Sequence, residues 1–196
     1  MMITRRPIHV HPEKVVAYAY VRHPPSADGR QPIYAAGALS VTLKFGTEVE
    51  FERHHSVYER NAGGNPFADL FGLLDPTAHL ISVQQPGSKT SENHRRDDHW
   101  LRYQMASLSM MRAQRQGHQL LTIKERVLRA FAEDYSIPIA TPNASIETQA
   151  RLVADRAQIV WLAWAACALG SDPDQHAIIA AFRAWRILDE QRPIPF

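Results

Sequence analysis

The chain has a single cysteine, a formal charge of only +2 and no apolar run longer than that from Ile159 to Leu169. Each shortage excludes something. One thiol, Cys167, cannot close an intramolecular disulfide, which fits a reducing compartment and makes the cytoplasm the expected location. Near-balanced charge gives the molecule too weak a field to argue by itself for nucleic acid, membrane or acidic partners. The apolar run is too short for a bilayer, and MMITRRPIHVHPE has no apolar stretch behind its basic residues, so neither insertion nor secretion is expected. Chemical motifs are equally scarce. No G-x-S-x-G elbow, GxGxxG turn or GxxxxGK[ST] loop occurs, and Ala62-Gly63-Gly64-Asn65 reads only as a loop. Ten histidines are present, but no two stand one helical turn apart and there is no cysteine pair, so zinc has little support. Cys167 lies in an apolar stretch and is expected to be buried.

What is there suffices for one domain. The 196 residues are 45% hydrophobic, enough for a proper core over 1–196, strand-rich in 1–85 and helix-rich in 98–192. VVAYAYVRH, YAAGALSVTLKF and TEVEFERHHSV read as three strands. In the third, Glu48, Glu50, Glu52 and His54 alternate with Val49, Phe51, Arg53 and His55, and Phe45-Gly46-Thr47 supplies the preceding turn, as in an antiparallel meander. A short helix, PFADLFGLLD, and a brief strand, HLISV, follow.

Helical spacing dominates after that. Leu101, Met105, Leu108 and Met111 predict a helix over 100–115. Thr122 and Glu125 form a capping-box pattern for a helix with Ile123, Val127, Phe131 and Tyr135 inside. Another begins near Asn143 or Ser145 and buries Ile146, Ala150, Val153, Ala157, Val160, Trp164 and Ala168. A last one opens at Asp172-Pro173, with Ile178, Phe182, Trp185 and Leu188 inward. The expected architecture is α/β: a mixed sheet ordered β-β-β-α-β along the chain, then a helical C-terminal half.

This order, with the segments around AAGALSV and VLRAFAEDYSIPIATPNASIETQARLVADRAQIVWLAWA, resembles the DnaQ-like 3′–5′ exonucleases of the ribonuclease H-like fold. The resemblance covers roughly half of the chain. It implies an Asp-x-Glu pair on strand one, a Tyr-Gly-Ile-like turn at Tyr135-Ser136-Ile137, and a late helix bearing His-x-x-x-x-Asp. In that family four acids hold two divalent ions about 3.5–4 Å apart while a histidine serves as general base. Laid on this chain, the strand-one acids fall on Tyr18 and Tyr20, the acid after strand four on Lys89, and the histidine on Ala150. Only Asp155 matches. Phenols stay protonated at neutral pH and do not replace carboxylates around a hard cation. The resemblance therefore implies a pseudoenzyme without cofactor, with Asp155 as the remnant of a metal site and pointing at the end of the sheet where Tyr18 and Tyr20 emerge.

Three functions are compatible with these residues. The first is non-catalytic binding of single-stranded nucleic acid in the inherited cleft, through Tyr18, Tyr20, Arg22, Lys89, Arg95 and Arg96. The second is a structural subunit docking on a protein partner through Trp161, Trp164, Trp185 and the tail RPIPF. The third is a working exonuclease, dependent on Mg or Mn, with a relocated site built from Asp155, Asp97 or Asp98, and one of Glu48, Glu50 and Glu52. The register between Leu80 and Trp100 stays open.

Overall fold

The computed structural model describes residues 13–23, 33–44, 48–57, 78–83, 118–121, 123–141, 143–168 and 173–190. The expected helices at 66–75 and 100–115 lie outside these residues, as do the turn at 45–47, Lys89, Arg95, Arg96, Asp97, Asp98 and the RPIPF tail.

The protein is α/β with a mixed sheet. Strands β1 (Lys14–Arg22), β2 (Ile33–Leu43), β3 (Val49–Val57), β4 (His79–Val83) and β5 (His118–Leu121) lie in the order β3-β2-β1-β4-β5. β1 and β2 pair antiparallel, as do β2 and β3, whereas β4 runs parallel to both β1 and β5. The short β5 was not anticipated from sequence. Successive side chains of a strand face opposite ways, and in β1 both sets are apolar. Val15, Ala17, Ala19 and Val21 join the cores that contain the helices. Val16 and Tyr18 point the other way and are also buried, each at 2% exposure, as in central strands covered on both faces.

Helix α1 (Glu125–Asp134) begins without the expected capping box. Lys124 occupies the N-cap and makes no side-chain cap bond. Its fully buried positions are Leu128 and Ala132; Ile123, Phe131 and Tyr135 are partly buried against the same core, as expected, while Val127, expected inside with them, is 39% exposed. The helix ends in a Schellman arrangement, in which Ile137 N–H donates to Ala132 O at 2.7 Å and Ser136 adopts the left-handed φ of 52°, a position usually given to glycine.

The long helix read from Asn143 or Ser145 onward is two helices, α2 (Ile146–Arg151) and α3 (Val153–Ala168), interrupted at Leu152. Ser145 is the N-cap of α2, its hydroxyl accepting from Thr148 N–H at 3.2 Å. α3 is buried from Ala157 through Ala165, but Ala166, Cys167 and Ala168 are exposed. The expectation of a buried thiol is thus corrected: the last turn runs past its cover.

Helix α4 (Pro173–Glu190) places Ile178 and Phe182 inside. Leu188, expected to join them, is 61% exposed, because Arg186 takes the inward place on that turn. Phe51, Trp161, Phe182 and Trp185 form an aromatic cluster with ring centroids 5.1–5.7 Å apart, which locks α3 and α4 onto β3. Trp161 and Trp164 are buried at 1% and 6% exposure and Trp185 packs against the same core, so these rings serve packing and are not displayed for docking.

Candidate functional site

Asp155 sits in the first turn of α3, facing β3 and α4. Its Oδ1 accepts from Gln158 Nε2 at 3.2 Å and lies 3.7 Å from Arg53 Nη1. Arg53 comes from β3, on the same strand face as Phe51, and its Nε reaches Asp189 Oδ2 at 3.1 Å. Gln158, almost fully buried, accepts from Arg186 Nη1 at 3.0 Å. Arg186 Nη2 donates to Ser136 O at 3.2 Å and also pairs with Glu190. Burial pushes the Asp155 carboxyl above the usual carboxylate range; Arg53 and Arg186 oppose that rise, and Glu190 and Asp189 add to it. The cation beside this acid is therefore Arg53, a residue the sequence did not single out for this role. The only available signal was its place in the alternation of β3, on the side of Phe51.

Tyr18 and Tyr20 do not meet Asp155. They share a strand face, but it is the face opposite the one α3 covers, since Ala17 and Ala19 between and beside them pack in the helix-side cores. This corrects the expectation that Asp155 points toward the two tyrosines. Tyr18 is also 2% exposed, too buried to offer its ring to a nucleic-acid base. Tyr20 is half-buried, with the Arg22 guanidinium 5.3 Å from its ring centroid.

The residues beneath α2 and the start of α3 are small. Ala19, Val21 and Ala35 meet Ala150, Val153 and Ala157. Ala150, where the resemblance would put a histidine, is buried, and its carbonyl accepts from His55 Nε2–H at 3.0 Å. Gly37 of β2 lies directly under the α3 backbone. Two divalent ions need several carboxylates converging within a few ångströms. The junction supplies methyl groups instead, and Asp155 is engaged by Arg53 and Gln158. These residues do not fit a two-metal centre.

The acidic row of β3 does not complete one with Asp155 either. Glu50 and Glu52 alternate with Arg53 and point to the other sheet face; both are exposed, Glu50 pairing with Lys44. Glu48, just before the strand, is also exposed. Among the described residues no group of three His, Cys, Asp or Glu side chains is placed to hold a metal ion.

One constellation escaped the sequence reading because it forms only across paired strands. Ser40 Oγ lies 3.2 Å from His54 Nε2, and Glu52 Oε2 lies 3.6 Å from that same nitrogen. Burial lowers the His54 pKa, and Glu52 works against this. A nucleophile relay requires the acid at one ring nitrogen and the hydroxyl at the other. Here both compete for one, so the arrangement ties strand to strand without activating Ser40.

No family model matches the chain, and no curated protein is significantly similar to it.

Proposed function

We propose that this protein is a catalytically silent relative of the DnaQ-like 3′–5′ exonucleases, with a ribonuclease H-like sheet, acting by binding without cutting. The strand order β3-β2-β1-β4-β5, antiparallel among the first three strands and parallel beyond, supports the architectural part. One observation carries the functional part: where strand acids and a helix acid would have to converge, Ala17 and Ala19 face α3, and Asp155 turns away into its ion pair with Arg53. On this reading the strand-one acid positions correspond to Ala17 and Ala19, one residue earlier than Tyr18 and Tyr20.

Binding of a single strand then rests on the end of β1, where Tyr20 and Arg22 are only half-buried and present a ring stacked with a guanidinium. Stacking on a ring contributes about 1–3 kcal/mol per base, and phosphate contacts make affinity fall with salt. The test uses labelled single-stranded DNA and RNA. Anisotropy should report binding that weakens from low to high salt and is lost in Arg22→Ala, while manganese or magnesium should produce no trimming of the 3′ end. Metal-dependent trimming abolished by Asp155→Ala would establish a nuclease and end the proposal.

A second reading, a structural subunit that docks on another protein, is favoured by Ile187 and Leu188, which expose 59% and 61% of their surface at the end of α4. It gains if no oligonucleotide binds and the chain sediments as a complex that Leu188→Lys disperses.

A further inference from the structure

Away from Asp155, the end of α1 and the first half of α4 border a hollow of about 400 Å³, lined by Tyr135, Gln175, His176, Ile179, Ala180 and Arg183. Its size is near the lower end of small-ligand sites. His176, Ile179, Ala180 and Arg183 recur at spacings of three and four and so share one helix face. Helical side chains lean back toward the N-terminus, which brings the Arg183 guanidinium over the hollow from the turn beyond it. That guanidinium lies 4.8 Å from the centroid of the Tyr135 ring, and the ring is held in turn against Phe182, with centroids 6.4 Å apart. Stacking of this kind orients the planar fork of donors. Among the described residues the lining contains no acid, and neither Arg183 nor His176 takes part in any ion pair.

We propose that this hollow binds a small phosphate-bearing ligand, with the phosphate held by Arg183 and His176 above Ala180. The choice of anion follows from the donors. A carboxylate has two oxygens, both of which an arginine fork uses. A phosphate keeps a further oxygen for His176 or Gln175, which line the same hollow. The methyl of Ala180 leaves the space, and Ile179 supplies an apolar wall for the carbon attached to the phosphate. The inference is independent of the nuclease reading, since it involves neither β1 nor Asp155.

The test is an NMR titration of the full chain with inorganic phosphate, with sodium chloride at equal ionic strength and sodium acetate as the comparisons. Phosphate should shift the amides of 175–183 saturably in the millimolar range, while chloride and acetate leave them nearly unmoved. Arg183→Gln should weaken binding about tenfold or more, as expected for losing charge-assisted hydrogen bonds. Ala180→Leu should do the same by filling the hollow with every charge in place. Both positions are exposed, so circular dichroism should stay that of the parent. Shifts that chloride reproduces, equal binding of acetate, or undiminished binding by Ala180→Leu would each overturn the proposal.

Discussion

Replacing Gly37 by alanine probes a close approach of strand to helix. A Cβ at this position would stand 2.6 Å from both the Cα and the N of Ala154 and 2.8 Å from the carbonyl carbon of Val153. All three are backbone atoms, so no change of rotamer relieves the clash: either α3 lifts from β2 or the strand bows. Overpacking costs about 1–3 kcal/mol and occasionally more, and a rigid obstruction belongs at the upper end. Removing a glycine from a strand returns about 0.5–1 kcal/mol. The net loss is about 2 kcal/mol, which for a domain of this size lowers Tm by roughly 4–8 °C. Calorimetry on parent and Gly37→Ala measures it directly. Ala154→Gly supplies the control, because glycine keeps the N and Cα that obstruct, so the double variant should melt no higher than Gly37→Ala. A rescue in the double variant, or a single variant melting within about one degree of the parent, would refute the reasoning.

Other perturbations are read by urea unfolding. Ser136 holds a left-handed φ of 52°, so Ser136→Gly should stabilise by about 1 kcal/mol; an unchanged or lower midpoint would count against the turn. Hydrogen bonds from Arg156 at 2.9 and 3.2 Å hold the Glu125 carboxyl below its usual range. A depressed carboxyl contributes stability above its unfolded pKa and loses it as pH falls through the folded one. Glu125→Gln should therefore cost about 1 kcal/mol near neutral pH, the pair being partly exposed, and almost nothing in strong acid. Asp155 has the opposite sign: raised by burial, it is destabilising while ionised, and stability is recovered as pH falls through its folded pKa toward the unfolded value. Asp155→Asn should accordingly stay within about 1 kcal/mol of the parent at neutral pH, whereas Arg53→Met should cost about 1–2 kcal/mol there and less in acid; equal costs at both pH values would contradict the pairing. Finally, exposed Cys167 should react stoichiometrically with a disulfide reagent in the native protein, and a thiol that waits for denaturant would place it inside.

The legible parts of the fold are those where one face alone is buried. β3 lies at the sheet edge, and the alternation of TEVEFERHHSV reports its two faces directly, with Phe51 on the core side and Glu50 and Glu52 outside. β1 is buried on both faces, so its run of apolar residues carries no phase. A pattern laid along it can slip by one position and exchange one face for the other, which separates Tyr18 and Tyr20 from Ala17 and Ala19. Helix faces are legible apart from single positions: Leu128 and Val127 are adjacent apolar residues, and periodicity alone does not say which is inward. The ion network was hidden for another reason. Its members come from β3, the turn after α1, α3 and α4, and no sequence spacing links Arg53 to Asp155 or Arg186 to Ser136.

Within that network lies the physical account of an acid on so apolar a helix. Arg186 is buried at 9% exposure and needs acceptors, which Gln158, Ser136 O and Glu190 provide. Once Gln158 gives its oxygen to Arg186, its amide N–H requires an acceptor of its own, and Asp155 Oδ1 is that acceptor. Among the described residues three carboxylates, Asp155, Asp189 and Glu190, then share two guanidiniums, Arg53 and Arg186, an excess of one negative charge. That excess, added to burial, accounts for the Asp155 carboxyl being pushed up despite two nearby cations, and it makes Asp155 intelligible as the terminal acceptor of a buried polar chain without appeal to a metal.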